Sequence, residues 1–412
     1  MSSPVKLGWV VSLRGIAALW VFAYHVWLAM GGLAVRFGLP TDFSFGLRSI
    51  FRAGYQGVDL FFVLSGFVIA WPYVSQKQTR LGRHEIVDFY QRRYLRIAPV
   101  YYLSLAVAIS LIAARLLRGN VDSWAIAAHL LFAENFDPVW ATSIRGVYWT
   151  LPTEIHFYLI FPLLLRLTNV DRPLRMACYL LAAAIGYRCL TVWLTTRHGV
   201  WLTWTAAYLP GRIDQFGCGM AAACLVATAR ANAVAVRKRT VVLAGLLALS
   251  CLVLVSRQTS DQFDFWYVCG ASISGAAIAL FVWTMGVYAK SRSQTAPTSA
   301  PSSGSKLLYL LGEASLSIYL WHTFFIDLAL VASYHWRISD AARAMLLLGT
   351  VPIVLGVSVF TYRVIEAPII ALSKSTAWRR KITGFVDRTG KLAHVGSSHG
   401  RATDRIDERG KH

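Results

Sequence analysis

The stretch LRGIAALWVFAYHVWLAMGGLA (13–34) is apolar across its length except for Arg14 and His25. About 20 such residues, wound as a helix, cross the hydrocarbon core of a bilayer. The apolar core of a cleavable leader should be uncharged, so the stretch reads as a retained transmembrane helix. The interval from 14 to 25 falls within about 20° of three full helical turns, which puts Arg14 and His25 on one face. Along the axis they stand roughly 16 Å apart.

Nine further stretches read the same way, near 55–74, 97–116, 149–166, 175–195, 209–228, 241–256, 266–288, 307–334 and 344–372. The expected fold is all-α, a polytopic membrane protein of about ten transmembrane helices. Composition agrees. The 412 residues are 56% hydrophobic and only 15% charged, with fifteen Trp, against roughly 25% charged in a soluble domain. A disordered chain, a disulfide scaffold and an ordinary cytosolic enzyme are excluded.

The net charge of +21 has a topological explanation. With the N-terminus inside, Lys and Arg are roughly threefold more abundant in inside than in outside segments. This predicts a multi-pass membrane protein with both termini cytoplasmic, and nucleic acid is not needed as a partner. One domain is expected over 1–372, with a flexible, Ser/Pro/Thr/Ala-rich cytoplasmic linker at 289–306. A basic, disordered cytoplasmic tail is expected over 373–412, suited to anionic lipid. The six cysteines (178, 189, 218, 224, 251 and 269) fall in spans without a CxxC pair and read as small packing residues.

Ionisable side chains within spans are costly, and each is a functional candidate. They include Arg14, His25, Asp59, Glu154, Arg212, Asp214, Glu313, His322, Asp327 and Glu366. For Asp59 the plain alternative is an internal salt bridge; for Arg212, Glu313 and Glu366 it is a position near a helix end. Arg14 and His25 suit a substrate that reaches up one helix face, its anionic part near Arg14 and its reacting part near His25. Glu154, in YWTLPTEIHFYLIFP, reads either as the carboxylate that orients His25 or as a helix N-terminal acid. Arg92, Arg93 and Arg96 read either as a positive-inside signal or, for Arg93 and Arg96 on one face, as a phosphate clamp. Trp140, Tyr148, Trp149, Trp201, Trp204 and Tyr208 on the outer side suit sugar stacking or an interfacial aromatic belt. The chain has no phosphate-binding GxxxxGK[ST] loop, no GxGxxG fingerprint, no HExxH and no GxSxG. No metal ligand set is expected from the spacing of its histidines.

Seven ordered blocks carry a resemblance. They are SLRGIAALWVFAYH (12–25), GVDLFFVLSGFVIA (57–70), RRYLRIAPVYY (92–102), YWTLPTEIHFYLIFPLL (148–164), RIDQFGCGMAAA (212–223), LGEASLSIYLWH (311–322) and YRVIEAPI (362–369). Together they resemble the acyltransferase-3 family of bacterial integral-membrane O-acyltransferases. Val11, Ser12 and Leu13 stand where many members read Asp-Gly-Leu, and the chain is similar to the stand-alone branch without an appended SGNH-type domain. The resemblance implies transfer of an acetyl or other short acyl group from cytoplasmic acetyl-CoA to a hydroxyl of a surface or exported glycan. It assigns His25 as the essential histidine, Arg14 as the signature arginine, Arg93 and Arg96 to the coenzyme A end, and Glu154 as the acidic residue of its block. Asp59, Asp214 and His322 are expected as supporting polar groups. Residues and resemblance together predict His25 as general base, with Glu154 holding its tautomer and Arg14 or a backbone donor at the oxyanion. The rival expectation is a transporter or flippase of a sugar-like or acyl substrate.

Overall fold

The computed structural model describes residues 7–31, 47–119, 121–198, 203–229, 236–258, 265–295 and 303–375. Among them every regular element is helical and no β-strand occurs. Eight helical stretches are long and apolar enough to cross a membrane, so the chain is a polytopic all-α membrane protein. The expected spans 149–166 and 209–228 are also helices, but they fall short of that apolarity. Each carries buried or half-buried ionisable groups inward, as helices facing a bundle interior do.

The N-terminal half supplies α1 (Gly8–Ala29), the short α2 (Leu47–Arg52), α3 (Gly57–Val74) and α4 (Arg83–Ala113). At 31 residues, α4 is roughly 46 Å long and outreaches the bilayer core. Arg92, Arg93 and Arg96 therefore sit within a helix rather than in a loop. The helix ends in a turn that places Arg115 at φ 59°. Two short helices follow, α5 (Ser123–Leu130) and α6 (Pro138–Ser143). Asp122 and Asp137 cap them by accepting from Ala125 N at 2.7 Å and Val139 N at 2.7 Å, satisfying backbone donors that a helix start leaves open.

The remaining helices are α7 (Thr150–Leu167), α8 (Pro173–His198), α9 (Leu209–Thr228), α10 (Lys238–Gln258), α11 (Phe265–Thr295), α12 (Ser303–Glu313), α13 (Ser315–His335), α14 (Asp340–Thr361) and α15 (Ala367–Lys374). The expected ninth span is thus two helices, α12 and α13, separated at Ala314. The tenth is α14 and α15, joined by a π-turn over Tyr362–Glu366. The linker expected over 289–306 is helical at 289–295 and 303–306, and its middle, 296–302, lies outside the described residues. Lys290 stays in α11 by donating to the carbonyls of Val226, Ala227 and Ala229 at 2.9–3.1 Å, groups left open where α9 ends. The tail expected over 373–412 lies outside the described residues from 376 on.

The core centres on α3 and α9, whose backbones touch. A Cβ on Gly66 would stand 2.1 Å from Phe216 O, and one on Gly219 would stand 2.0 Å from Val63 O. Small residues let transmembrane helices approach this closely, and packing rather than hydrophobicity holds them in lipid. Phe216 fills the remaining space by stacking on Phe157 with ring centroids 4.1 Å apart. The same logic joins α1 to α12, where a Cβ on Gly312 would lie 1.9 Å from Val11 O.

Candidate functional site: two chambers along α1 and α13

Arg14 and His25 lie on α1 as their spacing predicts, and α13 runs beside it in the same direction. Leu316 lines one chamber with Arg14, and Thr323 and Asp327 line another with His25. Tyr319, between them on α13, borders both sides, as does Val58 of α3.

The His25 chamber has a volume of about 520 Å³ and is walled by Tyr24, Tyr55, Arg145, Trp149, Tyr319 and Thr323, among others. That is within the roughly 300–1,000 Å³ of small-molecule sites. His322, fully buried, places its Nδ1 2.8 Å from Tyr319 O and its Nε2 3.2 Å from His25 Nδ1. A carbonyl can only accept, so His322 Nδ1 carries the proton and the neutral ring presents a lone pair at Nε2. His25 Nδ1 then faces two acceptors, since Val21 O lies 2.9 Å away on its other side. It must be the donor, which leaves the lone pair of neutral His25 on Nε2. The tautomer therefore follows from the partners.

Glu154 does not sit on His25. Its Oε1 accepts from Ser65 Oγ at 2.7 Å and from Tyr158 OH, and it lines the other chamber with Arg14, Arg93 and Arg96. The expected carboxylate–imidazole contact is replaced by the His25–His322 pair. The reason is register: Glu154 lies in the first turns of α7, opposite Ser65 of α3 and below the Tyr319 wall.

This second chamber is small, with pockets of about 30 Å³ on each side of Arg14. Arg14 rests over the Phe61 ring at 5.4 Å, and Arg93 over Phe89 and Tyr158 at 5.8 and 5.9 Å. Among the described residues none of Arg14, Arg93 or Arg96 makes a hydrogen bond or ion pair, and the Nε of Arg14 and of Arg93 is buried without a partner. Glu366 completes the cluster. It is buried, accepts from Ser317 Oγ at 2.5 Å, and faces Arg96 and Arg14. Three cations against two carboxyl groups leave the chamber positive.

Three other buried or half-buried arginines are paired. Arg212 meets Asp59 at 3.0 Å, so Asp59 forms the internal salt bridge that was its plain alternative, and Arg212 does not merely reach for an interface. Arg188 is almost wholly buried and meets Asp214 at 2.9 Å, with Ser272 Oγ 2.5 Å from the same carboxylate oxygen. Asp214 thus ties α8, α9 and α11 together. Arg145 meets Asp327 at 2.7 Å on the wall of the His25 chamber.

Sequence reasoning missed Arg145, Tyr319 and Thr323. Arg145 counted only as loop charge, but Tyr319 and Thr323 had a signal: they stand three before and one after His322, on the face that continues to Asp327. Thr323 Oγ1 is buried without a hydrogen-bond partner, a state that protein interiors seldom leave unexplained. Of the aromatic residues considered for sugar stacking, Trp149 lines the His25 chamber. Tyr148 is core, its hydroxyl donating to Ser104 Oγ at 3.0 Å. Trp201 lies outside the described residues. Among the described residues no cluster of three His, Cys, Asp or Glu side chains could hold a metal ion.

A family model described as an acyltransferase domain matches residues 7–363. Acyltransferase MdmB of Streptomyces mycarofaciens is 27% identical over 89% of this chain and 92% of its own length. Exopolysaccharide production protein ExoZ of Rhizobium meliloti is 27% identical over 83% of this chain and 96% of its own. Peptidoglycan O-acetyltransferase OatA of Listeria monocytogenes is 28% identical over 75% of this chain; the match spans 48%, about half, of that longer protein. No solved structure matches the chain.

Proposed function

The chain belongs to the acyltransferase-3 family, and from that premise we propose that it moves an acetyl or other short acyl group from cytoplasmic acyl-CoA to a hydroxyl of a surface or exported glycan in the bacterial inner membrane. The observation that carries this reading is the contrast among its arginines. Arg145, Arg188 and Arg212 form ion pairs with carboxylates, whereas among the described residues Arg14, Arg93 and Arg96 converge on one chamber without an ion pair, three cations facing two carboxyl groups. Unpaired guanidinium groups out of water are costly and suit an anionic ligand whose phosphates they bind bidentately. Relatives named for O-acetyl transfer and exopolysaccharide production support the reaction and the acceptor class.

Coenzyme A phosphates bind at the mouth formed by Arg93 and Arg96, and Arg14 receives the pantetheine end. The thioester passes the Tyr319–Val58 wall into the His25 chamber. There His25 Nε2 takes the proton of the acceptor hydroxyl as its oxygen attacks the thioester carbonyl. His322 Nε2 and Val21 O stabilise the imidazolium by accepting from Nδ1. The tetrahedral intermediate expels coenzyme A thiolate, which takes from His25 Nε2 the proton that the acceptor hydroxyl gave up. Thr323 Oγ1, buried on the chamber wall without a hydrogen-bond partner, suits the oxyanion as a donor; Arg14, roughly 16 Å along the helix from His25, suits the donor end instead. Asp59 and Asp214 support the bundle through their ion pairs.

The test is complementation of a deletion strain with wild type or His25→Ala at matched membrane levels, reading ester-linked acetyl on surface glycans by proton NMR. Wild type restores the signal and His25→Ala does not. Restoration by both variants overturns the proposal.

A further inference from the structure

Ser315, Tyr319 and Thr323 follow one another at four-residue intervals on α13, so they share one side of the helix at about 6 Å per step. Ser315 lines the side of Arg14 and Thr323 the side of His25, with Tyr319 between them and in both walls. Ser315 and Thr323 are buried, and among the described residues the hydroxyl oxygen of each lacks a hydrogen-bond partner. Interiors seldom leave such groups unmet. One unmet donor thus stands a helical turn before Tyr319 and another a turn after it, each suited to a bound carbonyl.

Tyr319 itself is tied. Its hydroxyl donates to Val147 O at 2.8 Å and accepts from Thr150 Oγ1 at 3.0 Å, and its ring packs edge-on against Phe61 at 6.2 Å. Val147 belongs to a strap over 144–149, whose Arg145, Gly146, Val147 and Trp149 wall the His25 chamber. A Cβ on Gly146 would meet nothing within 4 Å, so the strap borders open space there. The ties are hydrogen bonds between neutral groups, each of small net strength. Turning the side chain leaves Tyr319 O in place, where His322 Nδ1 donates to it at 2.8 Å, so the His25–His322 pair survives the movement.

We propose that Tyr319 is a gate between the acyl donor and the base. Latched, it holds the thioester on the Arg14 side with its carbonyl at Ser315. Unlatched, it admits the thioester to Thr323 and His25, and an acceptor seated against the strap releases the latch. The gate rests on the acyltransferase reading and deepens it: without acceptor, water does not consume the donor. In an open passage His25 Nε2 takes a proton from water as the water oxygen attacks the thioester carbonyl. The C–S bond then breaks, coenzyme A thiolate takes that proton, and acetic acid leaves.

The experiment measures coenzyme A release from acetyl-CoA by the full chain in nanodiscs without acceptor. In native membranes it measures the ratio of coenzyme A released to labelled acetyl found in glycan. Wild type should release little without acceptor, and in membranes the ratio should be close to unity. Tyr319→Phe loses both ties and Tyr319→Ala also loses the ring. Both should raise acceptor-free release, the second by about tenfold or more, and both should push the ratio above unity. Thermal stabilisation by coenzyme A should stay as in wild type, since its phosphates are held at Arg93 and Arg96. Adding His25→Ala to Tyr319→Ala should abolish the release. Release at the wild-type rate in both Tyr319 variants, or a rise that persists without His25, overturns the gate. A wild type that neither binds coenzyme A nor moves acetyl overturns the acyltransferase reading and the gate with it, so the two failures are read separately.

Discussion

His322 Nε2 lies 3.2 Å from His25 Nδ1, joining two residues 297 positions apart in the chain. Because the other nitrogen of His322 is committed to Tyr319 O at 2.8 Å, the contact runs one way, from His25 as donor to His322 as acceptor. In the proposed reaction His322 is a positioning residue, because it sets which nitrogen of His25 keeps the lone pair.

Replacing His322 with Phe should lower kcat for acyl transfer and leave the KM for acyl-CoA unchanged. Mis-setting the tautomer in a Ser-His-Asp triad costs about 10⁴-fold. Here Val21 O still accepts from Nδ1, so the loss should lie nearer tenfold. His322→Gln, which restores an acceptor, should recover part of it. Steady-state kinetics in nanodiscs decides; equal loss in both variants would point to packing alone.

At the opposite chamber, Arg93→Ala and Arg96→Ala should act on the other kinetic constant. Each removes hydrogen bonds to a charged group, worth about 1.5–3 kcal/mol. The KM for acyl-CoA should rise roughly 10–100-fold with a smaller change in kcat. Thermal stabilisation of the purified protein by coenzyme A should fall in parallel.

Arg188 and Asp214 predict instability rather than lost chemistry. Removing one partner of a buried pair leaves an uncompensated charge, at about 3–5 kcal/mol. Arg188→Met should lower the melting temperature in detergent markedly. Arg188→Met/Asp214→Leu should recover most of the loss and keep acyl transfer.

Glu134, in the segment between α5 and α6, gives the pH dependence. Burial pushes its carboxyl up to about 8, although Tyr101 OH donates to it at 3.1 Å. Between the ordinary carboxylate range and about 8 the folded chain holds a proton that the unfolded chain has released. Stability should therefore fall as pH rises through that window, by on the order of a few kcal/mol in all. Melting curves from pH 5 to 8 should show the slope, and Glu134→Gln should flatten it.

The sequence carried the parts of this account that depend on one helix at a time. The 100° rotation per residue placed Arg14 and His25 on one face, and apolar length located the helices. What depends on which helices face each other was hidden. Glu154 was legible as a candidate but its neighbours were not, since nothing in its own segment says that Ser65 and Tyr158 bond its oxygen while His322 takes the place beside His25. The break at Ala314, though flanked by Gly312, Glu313 and Ser315, was masked because long apolar stretches lie on both sides of it. Asp59 and Asp214 looked alike as intramembrane acids, and only their partners, Arg212 and Arg188, reveal both as ion pairs.

The central claim is that donor binding and hydroxyl activation occupy different chambers on one helix face. The most direct test measures both in His25→Ala: coenzyme A binding by thermal shift, and transfer of labelled acetyl from acetyl-CoA to membrane glycan. The account predicts binding unchanged and transfer reduced by about 10²–10⁴-fold. Transfer at the wild-type rate, or loss of coenzyme A binding together with transfer in a folded protein, would contradict it.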